Sequence, residues 1–85
     1  MHEPITFSDN EILSMYKIIG KNVKICREEK GMSQLELSQS MGYKSVSLIS
    51  AAELVSDGKH FNLEHLYRIS KVLDIKLSRL IETEE

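Results

Sequence analysis

Between Ile12 and Cys26 the apolar residues Ile12, Tyr16, Ile19, Val23 and Cys26 follow one another at spacings of 4, 3, 4 and 3. That rhythm keeps them on one face of a helix. Ser8 with Glu11 three residues later forms a capping-box pair, and Phe7 just before it is placed to pack on Ile12 as a hydrophobic staple. The pattern predicts a helix that starts at Asp9 and runs toward Gly31. Gly20 interrupts the stripe at a cost of about 1 kcal/mol relative to Ala. One long helix, or two with a bend, both remain open.

Shorter amphipathic segments follow. Ser33 and Glu36 repeat the capping-box pattern ahead of Leu37 and Met41, which lie one turn apart. Gly42 supplies a backbone that turns sharply. Ser45 is the expected cap of a third helix running to Glu53, with Leu48, Ile49 and Ala52 as its apolar surface. A loop from about Val55 to His60 contains the turn signal Asp57-Gly58. Asn62 caps a fourth helix, Phe61 and Leu66 form a second staple, and Leu63, Leu66, Ile69, Ser70 and Leu73 mark an inner stripe. Beyond Asp74, the residues Leu77, Leu80 and Ile81 support a short fifth helix, and residues 82–85 are expected to fray. Nothing reads as a strand, a repeat or a linker, so the expected fold class is all-α.

Length and charge narrow the possible activities. A chain of 85 residues is one domain, able to bury only about 60% of the surface its unfolded form exposes. A deep catalytic cleft is not expected. No apolar run approaches the roughly 20 residues that span a membrane, and the N-terminus lacks the basic start and apolar centre of a signal peptide. The expected location is the cytoplasm. The net charge is −2, but it is unevenly spread. All eleven Lys and Arg lie between Lys17 and Arg79 with seven acids among them, a surplus of four positive charges, while the flanking segments hold six acids. A moderately basic body is compatible with DNA and equally with a solvated surface.

Taken together, Arg27, Gly31-Met32-Ser33-Gln34, Leu37, Gly42-Tyr43, Ile49 and Glu53 stand in a specific order and spacing. So do the preceding Ile19-Gly20 and Val23, and the downstream Leu63, Leu66, Ile69-Ser70, Leu73-Asp74-Ile75, Leu77 and Leu80. Over residues 19–81 the chain resembles the phage-repressor/Cro-type helix-turn-helix family, also called the xenobiotic response element family. The resemblance implies a five-helix repressor-like DNA-binding domain at residues 19–81, an N-terminal helical extension at 1–18 and an acidic tail at 82–85.

It also implies roles. Arg27 and Glu53 occupy the positions of an ion pair that ties the first helix to the end of the recognition helix, a task suited to a bidentate guanidinium–carboxylate contact. Gln34 matches a glutamine that meets the DNA backbone. Ser45, Val46, Ser47 and Ala51 are expected to face base edges, with Lys44 and Ser50 at the margins. Asn, Gln and Arg, the side chains of bidentate base recognition, are absent from this helix, so readout should be modest and lean on DNA shape. The glycine often found two residues after Glu53 is Val55 here, and the longer loop puts Lys59 and His60 where the family meets phosphate.

Other chemistry finds little support. Cys26 lies on the apolar stripe beside Val23 and reads as a core thiol. His60 and His65 lack companions at metal-ligand spacing, the adjacent Glu28 and Glu29 diverge around a helix, and no phosphate loop or nucleophile elbow exists. Neither enzyme activity nor a cofactor is expected. The expected function is sequence-specific transcriptional regulation, with the third helix, at 45–53, in the major groove of double-stranded DNA. The alternative is a protein-interaction module or antitoxin-like protein on the same fold with weak DNA binding and a protein partner. Residues 1–18 carry Ile12, Leu13, Met15, Tyr16 and Ile18, too many apolar side chains for a solvated tail. They are expected either to form a homodimer surface or to fold back on the fifth helix and complete the core.

Overall fold

The computed structural model describes residues 3–83. Its elements are α1 (Asp9–Glu29), α2 (Gln34–Ser40), α3 (Ser47–Leu54), a 3-10 turn (Ser56–Gly58), α4 (Leu63–Leu73) and α5 (Leu77–Ile81). The architecture is all-α.

α1 begins on a closed capping box, with Ser8 Oγ accepting from Glu11 N and a Glu11 carboxylate oxygen accepting from Ser8 N, both at 3.1 Å. It runs through Gly20 as one helix of 21 residues. Gly20 is a point of close approach. A Cβ there would stand 2.5 Å from the Glu53 carbonyl oxygen and 2.6 Å from that of Ala52, so only a residue without a side chain lets α1 lie against the last turn of α3. Ile19, Val23 and Cys26 of α1 then meet Leu37 and Met41 of α2, Ile49 and Ala52 of α3, Leu66, Ile69 and Leu73 of α4, and Leu80 of α5 in one buried cluster with Phe61. Each such Val, Leu or Ile stabilises the fold by about 1.5–3 kcal/mol relative to an exposed one.

The two later caps use different chemistry. Asn62 Oδ1 accepts from His65 N at 2.8 Å, and His65 Nδ1 accepts from Asn62 N at 3.0 Å. A histidine thus fills the place glutamate takes in the first two boxes. At the other end of the domain, Asn22 Nδ2 of α1 donates to the carbonyls of Leu80 and Glu82 at 3.1 and 2.8 Å and closes the end of α5. Glu82 is extended, and Glu84 and Glu85 of the expected frayed tail lie outside the described residues.

Several expectations change. Phe7 and Ile12 stay 63% and 40% exposed, so the first staple buries little, because the start of α1 lies beyond the body of the domain. Leu63 is 68% exposed. As the first residue of α4 it faces outward, and the inner stripe begins at Leu66. The extension does not fold back on α5. It continues α1 as an overhang whose Leu13 and Met15 are also exposed, and the molecule measures 49 × 27 × 20 Å. Its radius of gyration of 14.0 Å exceeds the roughly 12 Å of a compact domain of this length.

Candidate nucleic-acid interface

Arg27, on the inner face of α1, and Glu53, in the last turn of α3, meet in a bidentate pair: Nε to Oε2 at 2.8 Å and Nη2 to Oε1 at 3.1 Å. Both side chains are nearly fully buried. Arg27 Nη1 also donates to the Met32 carbonyl at 2.8 Å, and Gln34 Nε2 at the start of α2 donates to Glu53 Oε1 at 2.9 Å. One carboxylate therefore joins α1, the α1–α2 turn, α2 and α3. Hydrogen bonding to Glu53 raises the Arg27 pKa above its usual value, which keeps the guanidinium charged despite burial. No buried side-chain nitrogen or oxygen among the described residues lacks a partner.

The turn between α2 and α3 is fixed with similar economy. Gly42 takes φ 97, in the region only glycine enters freely. Tyr43 N donates to the Ser38 carbonyl at 3.0 Å, and the buried Ser38 hydroxyl donates to the Ser45 carbonyl. Arg68 of α4 donates to the Met41 carbonyl at 2.9 Å and lies 5.8 Å from the Tyr43 ring. The end of α2 is thereby tied to α4 as well. Ser33 and Glu36 cap the start of α2, and the hydrogen bond from Ser33 N holds the Glu36 carboxyl below its usual range.

The third helix begins later than its sequence suggests. α3 spans Ser47–Leu54 with Val46 at its N-cap position and no side-chain cap. Ser45 does not cap the helix from the N-cap position; its hydroxyl accepts from Ser47 N at 3.0 Å inside the turn, because a serine bonds the backbone two residues on as readily as three. Lys44, Ser45 and Val46 precede the helix, and Ser47, Ser50, Ala51 and Leu54 form its outward row at i, i+3, i+4 and i+7. Ile49, Ala52 and Glu53 are buried on the opposite side. The hydroxyls of Ser45 and Ser47 lie 2.7 Å apart, and Ser50 Oγ donates to the Ser47 carbonyl at 3.2 Å.

Past α3, Val55 takes φ 55, ψ 43 with its side chain 7% exposed. A β-branched residue in that conformation carries about 1–3 kcal/mol of strain, offset here by burial. Lys59 is exposed beyond the 3-10 turn. His60, expected near a phosphate, stacks its exposed ring on Tyr16 of α1, with centroids 3.6 Å apart and planes 13° apart. Cys26 is buried and burial pushes its thiol pKa up, and no group of three metal-ligating side chains exists among the described residues.

A helix-turn-helix family model matches residues 23–80, which takes in α2, the Gly42 turn and α3 with their supports. The chain belongs to the Cro/C1-type helix-turn-helix family. No curated protein matches it in sequence. As a member of this DNA-binding family it uses α2 and α3 as the motif, and the matched span leaves the overhang outside. The Arg27–Glu53 tie was expected from the resemblance and is present, whereas the Gln34–Glu53 bond, the Asn22 cap and the exposed Leu54 escaped sequence reasoning. Leu54 becomes legible only once the helix start moves to Ser47. No helix of the described residues is long and apolar enough to cross a membrane.

Proposed function

We propose that this chain is a sequence-specific transcriptional regulator that acts in the cytoplasm and lays α3 in the major groove of double-stranded DNA. The observation that carries the reading is the outward row Ser47, Ser50, Ala51 and Leu54, held by the buried Arg27–Glu53–Gln34 cluster on a family scaffold. Lys44, Ser45, Val46 and Ser47 are the groups nearest the groove floor on this reading, with Ser50 and Ala51 behind them. Ser47 offers one hydrogen bond, and Val46, Ala51 and Leu54 suit thymine methyl groups. Lys59 and the second amide hydrogen of Gln34 meet phosphates. Two copies act together, since a two-fold pair reads two half-sites and multiplies a modest preference.

A second reading, an antitoxin-like interaction module, draws support from the serine hydroxyls, which already bond to one another and to the backbone. Titration of the protein into a fluorescent mixed-sequence DNA pool at several salt concentrations separates the two. DNA binding through phosphate contacts gives affinity that falls with salt. Lys44→Ala should weaken binding to every sequence and reduce that slope by about 1, while Ser47→Ala should shift preference at one base pair by about 1 kcal/mol or less. A flat salt dependence with equal effects of both substitutions excludes the groove-reading role and leaves the second.

A further inference from the structure

We propose that the hydroxyls of Ser45 and Ser47 act as one paired reader of adenine, in place of the amide side chain that the third helix lacks. This deepens the groove-reading role and rests on it.

The pair is defined by a count of hydrogens. Ser45 Oγ accepts from Ser47 N at 3.0 Å, and the two hydroxyl oxygens lie 2.7 Å apart, so one hydroxyl donates to the other. Each serine hydroxyl has one hydrogen and two lone pairs. Of the two hydrogens, one is held between the oxygens and one is left for a ligand. When Ser47 donates, both lone pairs of Ser45 are filled, so Ser45 offers the free hydrogen and Ser47 offers lone pairs alone. When Ser45 donates, Ser47 offers the hydrogen and each oxygen keeps one lone pair. In either order the pair shows one donor beside one acceptor. Ser50 adds no second donor, because its hydroxyl hydrogen goes to the Ser47 carbonyl at 3.2 Å.

Both residues are exposed, yet they are held in place. The buried Ser38 hydroxyl fixes the Ser45 carbonyl, the Ser47 N–H fixes the Ser45 hydroxyl oxygen, and Ser47 is the first residue of α3. Only the order of the shared hydrogen stays free, so little freedom is lost when a base docks.

A donor beside an acceptor is what Asn or Gln presents to adenine, whose ring nitrogen N7 accepts and whose exocyclic amino group donates in the major groove. Guanine shows two acceptors there, N7 and its carbonyl oxygen. A pair with one free hydrogen bonds one of these and sets an oxygen lone pair against the other. Adenine is thus favoured over guanine at the position facing Ser45 and Ser47, although α3 holds no Asn, Gln or Arg.

The test selects preferred duplexes for the full chain from a randomised DNA library and then measures affinity for single duplexes, with circular dichroism to verify folding. The parent should enrich adenine at one position. Ser45→Ala and Ser47→Ala should each flatten that position, the double variant should go no further than either, and Ser47→Thr should retain the preference. All four variants should keep the parent's salt slope on mixed DNA, since no phosphate contact is lost. In the selected duplex, that adenine is replaced by guanine, by the deaza analogue lacking N7, or by purine lacking the amino group. Each replacement should weaken parent binding about fivefold, the equivalent of one hydrogen bond, and leave the double variant unaffected. Guanine enrichment at the position the alanine variants flatten overturns the proposal while groove reading stands. So does an adenine preference that survives both alanine variants, or indifference of the parent to either analogue. A parent without salt-dependent DNA binding overturns groove reading itself, and this proposal with it.

Discussion

Glu53 accepts three hydrogen bonds on two carboxylate oxygens, from Arg27 on both and from Gln34 on one. Replacing Glu53 with Ala leaves the Arg27 guanidinium buried without a counter-charge and should destabilise the fold by about 3 kcal/mol. Substituting both residues with apolar ones should recover part of that loss, read by chemical denaturation. His65 offers a pH-dependent counterpart. Burial lowers its pKa from 6.5, and its Nδ1 accepts the Asn62 N–H of the α4 cap, which a protonated nitrogen cannot do. The folded form therefore binds fewer protons than the unfolded form between the depressed value and 6.5. Stability is fully present above 6.5 and declines as pH falls through that window. His65→Gln keeps a capping-box side chain and should flatten the fall between melts at neutral and mildly acidic pH.

At the scale of elements, Gly20 decides how closely α1 and α3 approach. An added methyl group gains about 1 kcal/mol of helix propensity, yet it collides with two backbone carbonyls that cannot rotate away. Gly20→Ala should thus lower the melting temperature, whereas a stabilised protein would show that the helices separate at little cost. Sequence alone left Gly20 ambiguous, since a glycine inside a stripe looks the same whether it bends the helix or admits a neighbour. The capping boxes at Ser8 and Ser33 were legible because their partners are three residues away. So was the Arg27–Glu53 pair, through the family resemblance. The start of α3 was not, because Ser45 and Ser47 both offer hydroxyls and only the three-dimensional turn decides which N–H each one meets. The side on which His60 lies was equally hidden, as its partner Tyr16 is 44 residues away in sequence.

At the scale of the whole molecule, the shape comes from one helix longer than the body it serves. All eleven Lys and Arg lie between Lys17 and Arg79 together with seven of the thirteen acids, and the flanking segments hold the other six, so the body and the overhang carry net charge of opposite sign. On the proposed function, that separation keeps the overhang clear of phosphate while the motif approaches it. The Tyr16–His60 stack sits where overhang and body join. The chain has no tryptophan and only three tyrosines, so this contact doubles as an optical gauge built into the protein. Emission from Tyr16 should be quenched by the imidazole stacked on it and should brighten in His60→Ala at unchanged helix content. The difference spectrum between the two proteins would then report, without any attached dye, when the joint between overhang and body is disturbed.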